Sequence, residues 1–286
     1  MIRLFTDTSA NLPLRLLDRY GIEVLPFSYT VDDQPVPYSK TTDFDGKAFY
    51  NAMRAGAIVK TSMINSEAFR VRFAEALEAG DDPLYVGMSG GISGTANAAA
   101  VAMRELQEEY PGRRMAAIDT YAASLGEGLQ VLEAARQIED GMSFEEIERG
   151  LLEKRPTMCQ FFTVDDLIYL KRGGRISAAA AALGTVLRIK PLLRGDETGH
   201  IVPCGKVHGS RRALSALADL YAKLVLDPAA PIGIAHADNE EGSALLQEDL
   251  RRRGLTGECL NVCYEPVTGS HVGPGTVALF FRGQHK

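Results

Sequence analysis

One glycine-rich segment carries the densest chemical signal in the chain, Gly87-Met88-Ser89-Gly90-Gly91. It fits G-x-S-x-G, the nucleophile elbow of serine hydrolases. Asp119 or Asp238, followed by His271, would complete the Ser, Asp, His chain order of a triad. An elbow leads straight into its helix, whereas the next predicted helix begins only at Thr95. Hydrolysis of lipid esters by Ser89 therefore stays as the alternative function.

The same glycine-rich segment continues into Ser93-Gly94-Thr95, at the start of that helix. A serine near a helix N-terminus offers a hydroxyl, a glycine allows close approach to the backbone, and free N–H groups with the helix dipole favour an anion. This pattern indicates a site for a carboxylate or phosphate, although Ser93 could equally serve only as a helix cap. There is no Walker A lysine and no G-x-G-x-x-G, so nucleotide binding lacks its usual signature.

Three more loop segments supply polar groups. Thr61-Ser62-Met63-Ile64-Asn65-Ser66 precedes a predicted helix and could be a capping loop, with Asn65 or Ser66 as the cap. Tyr169-Leu170-Lys171-Arg172-Gly173-Gly174-Arg175-Ile176 is a basic glycine turn, whose cations we expect to project from the surface. Ser270-His271-Val272-Gly273-Pro274-Gly275 places a histidine in a predicted rigid turn before the last strand.

The elements that must position these groups follow an α/β pattern, in which short β-branched runs alternate with stretches of helical period. Strands are predicted over 2–6, 22–30, 83–88 and 115–118. Helices are predicted over 12–19, 44–54, 66–78, 95–109, 122–139 and 143–154. Ser143 and Glu146 form an S-x-x-E capping box.

The pattern restarts after Pro156. Strands are predicted over 158–164, 232–236, 258–265 and 276–282, with a hairpin formed by 187–193 and 200–203. Helices are predicted near 166–170 and over 177–186, 209–226 and 240–252. We therefore expect two α/β domains, 1–157 and 158–286, each a mostly parallel sheet flanked by helices. A cleft between them is the default ligand site.

Composition excludes several classes of protein. With 286 residues, 45% of them hydrophobic, the chain can bury a substantial core. A net charge of -6 gives no basic surface for nucleic acid. No run approaches the roughly 20 apolar residues of a membrane span, and the N-terminus does not read as a signal peptide, so we expect a cytoplasmic protein. Four scattered cysteines and five histidines, without CxxC or HExxH, predict no metal site.

Taken together, the segments resemble the DegV family, in particular the FakB type of fatty-acid-binding protein. The resemblance covers nearly the whole chain, and it is the order of several short motifs that makes it specific. The matching segments are Thr6-Asp7-Thr8, Asn11-Leu12-Pro13, the strand over 21–26, Thr61-Ser62, Ser93-Gly94-Thr95, Asp119-Thr120, the basic glycine turn over 169–176, Lys190-Pro191 and His271-Val272-Gly273-Pro274-Gly275.

This resemblance implies a protein that buries one long-chain fatty acid between its domains, without a cofactor or a metal. The residues it implies as carboxylate ligands are Thr61, Ser62, Ser93, Gly94, Thr95 and His271. It implies that a separate ATP-dependent fatty acid kinase, FakA-like, converts the carboxylate to an acyl phosphate for phospholipid synthesis. The binding protein itself would not be the catalyst. Arg172 and Arg175 would then contact the kinase or the phosphate.

Independent physical reasoning agrees with such a ligand. At about 0.8 kcal/mol per buried methylene, a tail of about fifteen methylenes gains on the order of 12 kcal/mol before association costs. Affinity would come from the tail and orientation from the head-group donors. The absence of Trp and the 7% aromatic content also disfavour a flat platform for a cofactor or a carbohydrate.

Overall fold

A computed structural model describes residues 1–38, 44–177 and 189–284. The helices are α1 Leu14–Tyr20, α2 Gly46–Arg54, α3 Ser66–Glu78, α4 Thr95–Glu109, α5 Leu125–Glu139, α6 Phe144–Lys154, α7 Ile168–Arg172, α8 Ser210–Leu224, α9 Glu240–Arg252 and α10 Pro266–Val272. The strands are β1 Ile2–Asp7, β2 Glu23–Leu25, β3 Ser28–Val31, β4 Gln34–Val36, β5 Val59–Ser62, β6 Asp82–Gly87, β7 Ala116–Asp119, β8 Met158–Thr163, β9 Ile189–Gly195, β10 Ile201–His208, β11 Ile232–His236, β12 Cys259–Cys263 and β13 Val277–Arg282.

The first half of the chain is built on a parallel sheet with the order β2-β1-β6-β7. Phe69 and Phe73 of α3 pack with apolar residues of α4 in one core cluster. Val131 of α5 and Ile147 of α6 belong to a second cluster that also holds Leu84 of β6. Helices therefore contribute residues to both core clusters that contain this sheet. The predicted α/β fold with a parallel sheet is confirmed in this half.

The second half contains a six-stranded sheet with the order β10-β9-β8-β13-β11-β12. Among these strands only β11 and β12 pair in parallel, while the other four pairs are antiparallel. The prediction of a mostly parallel sheet in this half is therefore wrong. The tight turn between β9 and β10 forces them to be antiparallel, and β13 inserts between β8 and β11 against the direction of both. The β9–β10 hairpin itself was predicted.

A small antiparallel sheet, β4-β3-β5, is absent from the sequence predictions. The predicted strand over 22–30 is in fact two strands, β2 in the parallel sheet and β3 in the small sheet. The break falls at Pro26, which has no N–H to donate to a ladder. The consequence for function is that Thr61 and Ser62 lie on the last residues of β5 rather than in a loop.

Most helix ends follow the sequence signals. α3, α4 and α9 have the predicted limits. Asn65 caps α3 through its side chain, which accepts a hydrogen bond from Ala68 N at 2.9 Å. The Ser143–Glu146 capping box is present at α6. The helix predicted over 177–186 lies almost entirely outside the described residues.

The two halves share one core. Its largest cluster combines residues of the parallel sheet and α5 with Phe162 of β8 and Phe280 of β13. The opposite face of the six-stranded sheet packs on α8 and α9 through residues such as Phe161 and Phe281. Alternate residues of β8 and β13 thus face different layers. The proposed domain boundary at 157/158 stays a prediction, although every strand of the six-stranded sheet comes after it.

Candidate functional site

A cavity of about 420 Å³ lies between the two halves, and we call it the central cavity. Most of its wall is apolar, and polar side chains gather in one part of it. The described residues that line it are Phe27, Thr61, Ser62, Met63, Met88, Ile92, Ser93, Gly94, Ala122, Ala123, Gln160, Phe162, Leu170, Arg175, Gly195, Gly199, Ile201, Tyr264, Val267, Thr268, His271, Val272 and Phe280. An apolar cavity with a few convergent polar groups is the usual form of a small-molecule site.

The polar part centres on Thr61 and His271, which come from opposite halves of the chain. Thr61 Oγ1 lies 2.9 Å from His271 Nε2. Ser62 follows Thr61 at the end of β5, and His271 occupies the last turn of α10. The structure therefore brings His271 next to Thr61 and Ser62, which precede it by about two hundred positions in the sequence, as the family resemblance implies.

The environment of His271 keeps its imidazole neutral. Burial and, to a lesser degree, the nearby positive charge of Arg175 together lower the pKa of His271 to about 4. The ring also packs against the backbone of Gly173, where any side chain would collide with it. A neutral imidazole can donate one hydrogen bond and accept another. His271 can therefore donate to an anion without being charged beforehand.

The helix that carries His271 was not predicted. The sequence suggests a rigid turn over 270–275, but residues 266–272 form α10. Glu265 caps it through both carboxylate oxygens, which accept hydrogen bonds from Val267 N at 2.7 Å and Thr268 N at 2.5 Å. Pro266 occupies the first turn, where its missing N–H costs nothing. An acidic cap followed by proline was the signal that could have revealed this helix.

Ser93 stands close to the N-terminus of α4 but is not its cap. The cap residue is Gly94, which has no side chain to satisfy a backbone N–H. Ser93 Oγ instead contacts Thr95 Oγ1 at 2.8 Å and accepts a hydrogen bond from Thr95 N at 3.3 Å. Ser93 and Gly94 line the central cavity, whereas Thr95 is fully buried behind them. Thr95 thus orients Ser93 rather than facing the cavity.

A second cavity, of about 290 Å³, adjoins the polar end, and we call it the cationic cavity. It shares Thr61, Arg175 and His271 with the central cavity. Its remaining wall includes the exposed residues Lys60 and Arg172. The three shared residues therefore separate an apolar space from a positively charged one that opens to the surface.

Arg175 differs from the prediction that the cations of the glycine turn project from the surface. Lys171 and Arg172 are exposed as predicted, but Arg175 is partly buried in the wall between the two cavities. Its guanidinium donates hydrogen bonds to the carbonyl oxygens of Ile92, at 3.0 Å, and Gly173. The turn at Gly173-Gly174 folds this side chain inward toward the Ser93 loop.

Ser89 is not placed for nucleophilic catalysis. It is fully buried, its hydroxyl donates to Gly199 O at 3.0 Å, and the same oxygen accepts a hydrogen bond from Gly91 N. The other triad candidates also have separate partners within the described chain. Asp119 accepts from Gly90 N and Asp238 pairs with Arg54. His271 faces Thr61, so the hydrolase interpretation of this serine is wrong.

Sequence reasoning missed a buried acidic cluster formed by Asp7 and Glu127. Ser9 Oγ lies within hydrogen-bonding distance of Asp7 Oδ1 and 2.7 Å from Glu127 Oε2. A hydroxyl has one hydrogen, so Ser9 can donate to only one of the two carboxyl groups at a time. Burial raises the pKa of both acids. Asp7 also accepts from Tyr85 OH and from Met88 N, which leads into the Ser93 loop.

The apolar wall of the cavity was also missed at the level of single residues. Phe162 and Phe280 come from the cavity-facing sides of β8 and β13, and Met88 follows β6. The alternation of side chains in these strands was visible in the sequence, but the sequence did not show which face would meet a cavity.

The described residues contain no candidate metal site. No three or more His, Cys, Asp or Glu side chains lie close enough together there to hold a metal ion.

No helix in the described part of the chain is both long and apolar enough to cross a membrane. The fold and the site define a two-domain α/β protein with an apolar cavity between its halves and hydrogen-bonding groups at one end. This is the arrangement expected of a protein that binds a small amphipathic molecule.

Comparison with known proteins identifies the family. A model described as uncharacterised protein of the DegV family matches residues 1–284, and the chain belongs to this family. A DegV domain-containing protein of Clostridium perfringens is 37% identical over 284 residues, covering 99% of this chain and 98% of the relative.

Two solved structures are similar over nearly their whole length. A DegV family protein from Thermus thermophilus, described by its fatty acid binding, has 32% identity and a TM-score of 0.87, with 98% of each chain covered. DegV from Bacillus subtilis, described as a fatty acid binding protein, has 28% identity and a TM-score of 0.84, again with 98% of each chain covered. Both neighbours therefore share the two-domain fold and are described as binding fatty acids.

Proposed function

We propose that this protein binds one long-chain fatty acid in the central cavity, with the acyl tail along the apolar wall and the carboxylate at the Thr61–His271 pair. The observation that carries the proposal is the cavity itself, which is apolar along most of its wall and has hydroxyls and a neutral imidazole at one end. The fatty-acid-binding descriptions of similar proteins support it.

The head-group donors fit a carboxylate. In this proposal the hydroxyls of Thr61, Ser62 and Ser93, the backbone at Gly94 and the imidazole of His271 surround the two oxygens, and Thr95 holds Ser93 in place. Several neutral donors can satisfy an anion without a fixed buried ion pair, whose desolvation is costly. Arg175 adds a positive charge at the same wall.

Direct analysis of the bound lipid tests this proposal. The purified protein is extracted and the extract is examined by mass spectrometry, and delipidated protein is then titrated with labelled palmitate and oleate. We expect one long-chain acid per chain. Finding no acid in the extract and no binding on titration would overturn the proposal.

We further propose that the bound acid is presented, in the cytoplasm, to a separate ATP-dependent fatty acid kinase that forms the acyl phosphate. The protein would then be the lipid-binding subunit of that system and not the catalyst. The cationic cavity supports this, because Arg172 and Arg175 line a space directly behind the carboxylate position, together with Lys60, whose ammonium pairs with Asp33. A cluster of cations on an otherwise acidic protein suits an approaching phosphate or an acidic partner.

Replacing Arg172 separates the two parts of the proposal. Arg172→Ala should leave the free energy of fatty acid binding within about 0.5 kcal/mol of the wild-type value, because substitutions of exposed residues usually have small effects. The same substitution should slow acyl phosphate formation in a reconstituted assay with such a kinase. Arg104→Ala, an exposed arginine about 15 Å along α4 from its cap, is the control. Equal rates of acyl phosphate formation for Arg172→Ala and wild type would show that Arg172 does not contribute to the interface with the kinase.

A further inference from the structure

Gln160 is a polar side chain in the apolar part of the central cavity wall. It lies on β8 with Phe162, two residues further on, facing the same side. Its amide crosses from the second half of the chain to the first. Oε1 accepts a hydrogen bond from Ala123 N at 3.1 Å, and Nε2 donates to Tyr121 O at 2.8 Å.

Strand register places Gln160 away from the carboxylate end. Thr163 of β8 pairs with Val277, which begins β13 soon after the helix that carries His271. Gln160 pairs with Phe280, three residues further along both strands. At about 3.3 Å per residue, this separation is about 10 Å. Gln160 therefore lies along the apolar wall, in the part of the cavity that the tail of a fatty acid with its carboxylate at His271 would pass.

The surroundings of Gln160 hold it in one position. A side chain carbon at Gly195 would lie 2.7 Å from its Nε2, and one at Gly126 would lie 3.2 Å from its Oε1, so both backbones pack closely on the amide. The loop it binds contains two non-glycine residues in the left-handed region, Tyr121 with φ 54° and Ser124 with φ 52°. Such conformations persist only where neighbouring contacts hold them, and the amide of Gln160 is one of those contacts.

We propose that Gln160 is a specificity-determining residue that limits the length of the acyl chain. This inference rests on the proposed function, since it assumes a fatty acid in the central cavity. A chain that reaches past Gln160 must displace its amide and leave Ala123 N–H and Tyr121 C=O unpaired. Each unpaired buried group costs about 5- to 150-fold in affinity, whereas one more buried methylene gains only about fourfold. The added methylenes do not repay that loss, so affinity falls beyond a limiting length.

Competition binding with a series of saturated acids of increasing length tests the limit. Wild-type protein should show a maximum followed by a steep fall. Gln160→Ala should move the longest well-bound acid upward by about three carbons, the length of the Cγ, Cδ and amide atoms that it removes. Gln160→Asn, which keeps the amide but shortens it, should move the limit less; it also serves as the test if the alanine variant does not fold.

Phe162→Leu is the matched control, because it alters the same face of β8 nearer the carboxylate end. It should change affinity for all lengths by a similar factor and leave the limit where it is. If wild type binds a fatty acid and both Gln160 variants keep the wild-type limit, the role of Gln160 is wrong while the proposed function stands. If wild type binds no acid of the series, the proposed function itself is wrong, and the role of Gln160 falls with it.

Discussion

At the scale of single residues, the polar end of the cavity combines hydroxyl donors with an imidazole that is neutral at physiological pH. Thr61 and His271 already contact each other, and Arg175 is held in the adjoining wall by two backbone carbonyls. The donors are therefore in place before any ligand arrives. Such pre-organisation reduces the entropic cost of binding, because fewer side chains must be fixed on association.

Removing the hydroxyl of Thr61 without changing its shape should weaken carboxylate binding. Thr61→Val loses one hydrogen bond to a charged group and should reduce fatty acid affinity by roughly 1 to 3 kcal/mol, measured by titration with labelled palmitate. Thr30→Val is the control, since Thr30 lies on the adjacent strand β3 and does not line the cavity. A similar loss of affinity in both variants would mean that the change acts through the small sheet.

Fatty acid binding should be accompanied by proton uptake at mildly acidic pH. The pKa of His271 is about 4 without ligand, and a carboxylate beside the ring favours the imidazolium and so raises that pKa. Between the two pKa values the complex holds more protons than the free protein, so affinity should increase as pH falls through that range. Calorimetry in buffers of different ionisation enthalpy measures the uptake directly.

His271→Gln keeps a hydrogen-bonding side chain but cannot titrate. Its binding should show less proton uptake than wild type at each pH, with the remainder coming from the fatty acid carboxyl and other groups. If the uptake is the same in both proteins, the carboxylate does not lie beside His271.

The sequence located the polar residues better than the apolar ones. The family resemblance implied that Thr61, Ser62, Ser93, Gly94 and His271 lie together, and all five line the central cavity. The apolar lining was not found, since an inward-facing phenylalanine on β8 or β13 has the same pattern whether it meets a cavity or the core. Arg175 was misplaced because the inward fold of its turn depends on the Ser93 loop, which is distant in sequence.

At the scale of secondary structure, α10 links one buried acid, Glu265, to the site. Glu265 holds the first turn of this helix and His271 occupies the last. Asn11 fixes the segment before it, because its amide donates to Cys263 O and accepts from Glu265 N. The position of His271 therefore depends on a cap two turns away.

Replacing Glu265 should flatten the stability profile near neutral pH. Burial raises the pKa of Glu265 to about 7, so the folded state holds an extra proton between about pH 4.5 and pH 7. The free energy of unfolding therefore falls as pH rises through this window, by about 3 kcal/mol. Glu265→Gln should be less stable at pH 4.5, having lost one cap acceptor, and should lack this fall, as measured by urea unfolding.

Glu146→Gln provides the contrast for that measurement. Hydrogen bonds from Ser143 lower the pKa of Glu146, so its contribution is lost only as pH falls into the acidic range. This variant should keep the neutral-pH slope of wild type. A Glu265→Gln profile parallel to wild type between pH 4.5 and 7 would assign the slope to other groups, with Asp7 and Glu127 the first to consider.

Secondary structure was predictable where local signals decide it. Periodicity fixes α3, α4 and α9, with a side-chain cap at Asn65 for α3, and Ile232–His236 was predicted with its observed limits. Strand direction in the second half was not, because pairing of β13 between β8 and β11 is a long-range choice that no local pattern encodes. The small sheet was missed for the same reason. Its strands β4 and β5 are short, and each pairs only with β3, so its formation also depends on contacts between segments distant in sequence.

At the scale of the whole molecule, several contacts hold the two halves together around the cavity. Tyr50 OH donates to Tyr264 O at 2.9 Å, Arg54 pairs with Asp238, and Arg282 pairs with Glu133 at 2.5 Å. The central cavity adds surface from both halves at their junction. A ligand in this cavity contacts both halves at once. Its binding energy therefore stabilises the packing of the two halves against each other as well as the fold of each half.

Ligand binding should therefore stabilise the molecule as one unit. The shared core predicts a single cooperative unfolding transition for delipidated protein. A fatty acid at about 100 times its dissociation constant should raise the free energy of unfolding by about 2.7 kcal/mol, with the transition still single. Differential scanning calorimetry with and without the acid measures this, and a short-chain acid with the same carboxylate is the control, since little tail burial should give little shift. Two transitions, only one of which moves with ligand, would show that the halves unfold independently and that the acid lies within one of them.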